Sequence, residues 1–368
     1  KVKESRNDFM SAVFRTAGGV MVTYGFNFDA TDLHLLTGIS IERGNTDQEM
    51  PKADRKKTND DLARAVRQHA GELGANDLFS GVILIAQHGK PLFEQAFGFA
   101  DREKKTPNRT DTKFNIGSIN KSFTALAIRQ LIDKGKLSPD DTLGKLLPWY
   151  PNKEAANKIT VQQLLDMKSG IGDFFGERYM ATPKEQLKSL KDYLPLFADK
   201  PLEFEPGTSR RYSNGGYVVL GLIIEQLSGM DYYAYVRENI FKPAGMTNSD
   251  SYDKAAAVSN RAQGYTRRSA TADTGALHSN GEMQPGRGSS AGGGYSTAHD
   301  LLRYAIALRE GKLGSGDAGG LGIAGGSPGV NAALEDDPRS GYTVIVLSNF
   351  DPPSAENFAR QIRAWLPE

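Results

Sequence analysis

The chain has 368 residues, enough to bury at least one large core and to carry an appendage, so two domains are expected. Lys plus Arg total 45 against 44 for Asp plus Glu, a net charge of +1, so no global field exists to hold nucleic acid or an anionic membrane. The absence of cysteine removes disulfides, thiolate nucleophiles, cluster ligation and cysteine-bound zinc.

The chain starts at Lys1, and residues 1–11 are too polar for the apolar core of a signal peptide, so the native start is expected to have been removed. No apolar run approaches the roughly 18 to 20 residues that cross a bilayer, so any membrane anchor would lie upstream. From Gly19 to Arg43 the alternation of Val20, Val22, Tyr24, Phe26 and Phe28, followed by Leu33, Leu35 and Ile39, predicts a few half-buried strands. Residues 1–45 are thus read as a small β-rich segment. The polar, charged stretch 46–58 reads as a linker, and 59–368 as the main domain.

In that domain, residues 59–72 carry Leu62, Val66 and His69 on one helical stripe, with Thr58 or Asn59 as cap. The apolar run 79–87, the turn His88-Gly89-Lys90 and the alternation over 91–99 predict a β-hairpin. Helical periodicity then dominates at 118–134, 160–167, 216–227, 231–240 and 297–309, before a buried strand over 342–349 and a helix over 355–365. Strands at both ends around a helical centre predict an α+β fold, an antiparallel sheet closed by terminal segments and carrying a helical lobe. The glycine-rich stretches 281–294 and 311–329 read as mobile loops.

The chemistry concentrates in FNIGSINKSFTALAI, residues 114–128. Gly117 breaks an extended run, and Phe123, Ala127 and Leu131 share one helical face, which puts Ser118 at the first turn of a buried helix. There the positive helix end and the free backbone N–H groups favour a developing oxyanion. Lys121, one turn on and half buried, can lose its proton and accept that of the serine. Ser251 and Lys254 repeat the spacing in a polar run and read as surface. In RRYSNGGYVVLGLIIEQLSG, residues 210–229, Tyr212 and Asn214 precede an apolar helix; a phenol can shuttle a proton, and the Asn214 amide can bond the lysine and a substrate carbonyl. Tyr150 and Asn152 repeat that spacing around Pro151 and read as a turn.

Together these pieces resemble the serine β-lactamase and penicillin-binding superfamily, in its class C-like branch with family VIII esterases and D-aminopeptidases. The resemblance spans about residues 60–368 and includes ITVQQLLDMKSGIGDF at 159–174, FEPGTSRRYSN at 204–214 and GGGYSTAHDLLRYA at 292–305. It implies a β-lactamase-like fold and a Ser118 acyl-enzyme, with neutral Lys121 or the Tyr212 phenolate as base and Tyr212 as acid to the leaving group. Asn214 would contact substrate, and no metal or cofactor is implied. Relatives carry Lys, His or Trp at the start of a third motif, where this chain has Ile323, Ala324 and Gly325. By that alignment the N–H of Gly326 joins that of Ser118 as oxyanion donor. Loss of the side-chain donor at Ile323 turns the expectation from a carboxylate-bearing lactam or peptide to a neutral ester or amide. The segment between Leu313 and Gly322 is shorter than in relatives, by loss of a loop or by residues absent from the chain. Export to the periplasm or medium is implied by resemblance alone.

Competing readings are a β-lactamase, D-Ala-D-Ala carboxypeptidase or D-aminopeptidase, and a non-catalytic sensor on the same scaffold. The G-x-S-x-G match at 325–329 is disfavoured as a nucleophile elbow, because Pro328 lacks the N–H that such a site needs. The five histidines, His34, His69, His88, His278 and His299, show no metal-ligand spacing.

Overall fold

The computed structural model describes the backbone of residues 2–6, 9–15, 21–28, 36–43, 55–268, 273–314 and 320–367. Side chains are described from residue 55 onward, apart from 273–274. Most of the expected linker, and the centre of the short connection between Leu313 and Gly322, lie outside the described residues. The chain divides into two compact units, residues 1–58 with 364–368, and residues 59–363.

The first unit is an antiparallel meander of four strands, β1 (Val2–Arg6), β2 (Phe9–Arg15), β3 (Met21–Phe28) and β4 (Leu36–Arg43). Two of these strands precede Gly19, where the sequence pattern predicted none; the half-burial expected of their side chains falls outside the described residues.

The second unit begins with helix α1 (Asn59–Ala75), which buries Leu62, Val66 and Ala70 at i, i+4 and i+8. A hairpin follows, β5 (Gly81–Gln87) and β6 (Lys90–Phe97). His88 and Gly89 both adopt positive φ, 49° and 77°, as a two-residue turn matched to strand twist requires. The chain returns to this sheet only at its end. The order is Leu321–Ser327, Val330–Asp336, Tyr342–Ser348, β5, β6, antiparallel throughout. Hence the Leu321–Ser327 strand is an edge, and the glycine-rich stretch expected to be loop is partly sheet. Its hairpin turn contains Pro328 and Gly329, so no helix follows Ser327 and the nucleophile-elbow geometry is not formed.

Alternation in the sheet serves two cores. Val82, Leu84, Ala332, Leu334, Ile345 and Leu347 belong to the large core shared with the helical lobe. Ile83, Ile85, Val344 and Val346 are equally buried on the opposite face. There too, Phe358 of the Ser354–Trp365 helix stacks edge-on against Phe79 and His69. Between β6 and the returning strands lie helix α2 (Asn120–Asp133), the Asn214–Ser228 helix and the Ala298–Arg309 helix. Among the described residues no helix is long and apolar enough to cross a membrane.

Candidate active site

Phe114–Asn115 pairs with Tyr295–Ser296, and the chain then turns through Gly117 into a 3-10 turn, Gly117–Ile119, that runs directly into α2. Ser118 therefore sits one turn ahead of the α-helix proper. Gly117 has φ 51°, and a β-carbon there would come 2.8 Å from Gly326 N. A β-carbon on Gly325 would collide with Ile116 O and come 2.6 Å from Ser118 N. Only glycine lets the edge strand and the turn approach this closely, which brings the amides of Ser118 and Gly326 into one short stretch. Asn115 Oδ1 accepts from Gly117 N at 2.9 Å and steadies the turn.

The α2 helix places Lys121 beneath the turn, 7% exposed. Its Nζ lies 3.2 Å from Ser118 Oγ, 2.6 Å from Asn214 Oδ1 and 2.5 Å from Ala291 O. Burial lowers its pKa to about 7, against a partial opposing pull from the Asp173 carboxylate. The Tyr212 and Tyr217 rings flank the amine, with centroids at 4.7 and 5.5 Å.

Tyr212 and Asn214 come from the chain entering the Asn214–Ser228 helix. Ser213 caps that helix, its Oγ accepting from Gly216 N at 2.9 Å and donating to Gly172 O at 3.1 Å. Arg211 N donates to Met167 O at 2.9 Å, so the segment is sewn to residues 167–173. Tyr212 is 52% exposed, yet its Oη lies 2.6 Å from Ser118 Oγ. Burial around that hydroxyl raises its pKa, with the Ser118 hydrogen bond pulling the other way. The phenol is thus the protonated partner of the pair and the amine the basic one.

Ser118, Lys121, Tyr212 and Asn214 are therefore brought together, with Gly325 and Gly326 alongside. Ser118 is half-buried and reachable from solvent. The repeated spacings go elsewhere. Tyr150 is buried and Asn152 caps the Lys153–Lys158 helix. Lys254 is exposed as expected, whereas Ser251 is buried, because the Arg287 guanidinium donates to its carbonyl and folds that stretch inward. A cavity of about 220 Å³ is lined by Asn115, Arg261, Asn280, Tyr295 and Asn349, and Ser118, Lys121 and Tyr212 are not among its lining residues. Among the described residues, no His, Asp and Glu cluster could hold a metal ion.

Two contributors escaped the sequence reading. The first is the stretch 281–294, expected to be mobile. Its carbonyls at Ser289, Ser290 and Ala291 accept in turn from Asn120 Nδ2, Thr124 Oγ1 and Lys121 Nζ, and all three residues are buried. The glycines flanking it permit close passage, and backbone acceptors leave no side-chain signature. The second is Asp173, whose Oδ2 accepts from Asn214 Nδ2 at 2.6 Å.

The β-lactamase family profile matches residues 62–319. The chain belongs to the β-lactamase family. Within it, the chain is 30% identical over 331 residues to a putative penicillin-binding protein, PbpX, of Bacillus subtilis (strain 168), covering 82% of this chain and 79% of that one. A second penicillin-binding protein of that organism is 34% identical over 184 residues, and the match covers 50% of this chain and 40% of its length. Among solved structures, a penicillin-binding protein from Bacillus halodurans superposes with TM-score 0.69 at 30% identity, over 80% of this chain and 97% of that one. The hydrolase EstCE1 shares the fold at TM-score 0.69 and 23% identity, over 83% and 98% of the two chains. The α+β β-lactamase-like architecture and membership of this serine hydrolase superfamily are therefore established.

Proposed function

We propose that the chain hydrolyses a neutral carboxylic ester, or an amide, through an acyl-enzyme on Ser118. The observation that carries this reading is the convergence of Ser118 Oγ, Lys121 Nζ and Tyr212 Oη within 3.2 and 2.6 Å of the serine oxygen. Lys121, neutral above about pH 7, takes the serine proton as Oγ attacks the acyl carbonyl. The amides of Ser118 and Gly326 receive the oxyanion. Tyr212 gives its phenolic proton to the leaving group and is reprotonated by the Lys121 ammonium. A water then enters by the same proton route and releases the acid.

The choice of a neutral substrate rests on the third motif, where Ile323 packs partly buried against the core and offers no donor to a carboxylate. An activity-based serine probe tests the reading: stoichiometric labelling of the wild-type chain and none of Ser118→Ala is expected. Labelling that persists in Ser118→Ala would place the nucleophile elsewhere, and a folded wild type that never labels would favour the non-catalytic sensor. A panel of nitrophenyl esters, a cephalosporin and D-amino acid peptides then ranks substrate classes, with the esters expected first.

A further inference from the structure

We propose that Asp173 is a positioning residue that fixes the amide of Asn214 so that its oxygen, and never its nitrogen, faces Lys121. This rests on the reading of Lys121 as the base. A neutral amine has two N–H bonds and one lone pair, and the two acceptors around Nζ, Asn214 Oδ1 at 2.6 Å and Ala291 O at 2.5 Å, take both N–H bonds. The lone pair is left pointing at the third neighbour, Ser118 Oγ, at 3.2 Å.

The Ala291 carbonyl cannot present anything but an acceptor, whereas a carboxamide can turn over. Rotated by half a turn, Asn214 would offer NH2 to the amine, and the lone pair would be drawn to that donor instead of to the serine. Asp173 prevents this, because a carboxylate only accepts, and its Oδ2 holds Asn214 Nδ2 at 2.6 Å. The carboxylate is itself held, with Oδ1 accepting from Phe175 N at 2.9 Å. Asn214 is 8% exposed, so water competes poorly for either end of the amide.

A second effect follows from charge. The titratable groups facing Lys121 are Asp173, from the 167–173 segment, and Tyr212 and Tyr217, from the Asn214–Ser228 region. Both phenols are pushed up by burial, Tyr217 to about 12, so Asp173 is the charge that acts on the amine.

The experiment compares Asp173→Asn, Asn214→Ala and the double variant in turnover of a nitrophenyl ester, with pH profiles for each. Asp173→Asn is expected to lose about 10- to 100-fold in kcat with little change in KM, the range typical of a residue that orients a catalytic group. Its acid limb should move to lower pH, because loss of the carboxylate removes the pull that raises the Lys121 pKa. The double variant should be no slower than Asn214→Ala alone, since Asp173 acts through that amide. Multiplicative losses with an unmoved acid limb would overturn the proposal and leave Asp173 a structural residue. Failure of the underlying reading looks different: Lys121→Ala would then keep near-wild-type turnover, whatever Asp173→Asn does.

Discussion

A lysine buried to 7% exposure without a carboxylate in direct contact is costly for the folded chain, and the proposed role as base supplies the compensating benefit. Because its pKa falls to about 7, kcat/KM for a neutral ester should rise with pH and level off above an apparent pKa near 7. A flat profile from pH 5 to 9 would remove Lys121 as the base. The sign for stability is linked. The folded chain binds fewer protons than the unfolded one between pH 7 and the usual lysine value of 10.5, so this group makes the fold more stable as pH rises through that window. Lys121→Ala and Tyr212→Phe should each lose at least about 10²-fold in turnover, the lower range of general acid–base contributions. Intact far-UV circular dichroism in both would show that the loss is chemical.

At the scale of elements, the site depends on the edge strand being held against the turn before α2. Asn331, fully buried on the neighbouring strand, ties that edge strand to the last helix with one side chain. Its Nδ2 donates to Gly325 O at 3.1 Å and to Glu356 Oε1 at 2.8 Å, and its Oδ1 accepts from Ala355 N at 2.6 Å at the start of the last helix. Asn331→Ala takes the side-chain partner from Gly325 O and Ala355 N, both in buried residues, a cost of about 1–3 kcal/mol each before relaxation. Chemical denaturation should report a stability loss of that order or more, and esterase activity should fall with it. A variant of unchanged stability would show that water replaces the amide. Gly325→Ala is expected to be harsher for activity than for stability, since its β-carbon would press on the Ser118 amide at 2.6 Å.

These elements also show what sequence can carry. The α2 helix was legible because Phe123, Ala127 and Leu131 repeat at the helical period after Gly117, and each is buried. Tyr212 and Asn214 were legible because an apolar helix follows them. The wall at residues 289–291 was not, because it works through carbonyls that every residue possesses, and glycine richness reads equally as looseness or as tight passage. Asp173 was not singled out because its partner, Asn214, lies 41 positions away, and nothing local marks the pairing.

For the whole molecule, the proposed preference for a neutral substrate turns on what the third-motif strand presents within a scaffold shared with penicillin-binding relatives. The resemblance implies a donor side chain at the position of Ile323, and the glycine turn, α2 and the edge strand form the frame that would receive one. Ile323 sits partly buried on that edge, so a longer side chain can extend from it toward solvent at modest packing loss. Ile323→Lys is therefore expected to raise acylation by a carboxylate-bearing penicillin about 10- to 100-fold, the effect of one charge-assisted hydrogen bond of about 1.5–3 kcal/mol. Turnover of a neutral nitrophenyl ester should stay within about threefold, because the oxyanion amides are backbone groups that the substitution does not touch. Stopped-flow acylation with both substrates checks this, and a variant that gains nothing on the penicillin would place carboxylate recognition elsewhere in the cleft.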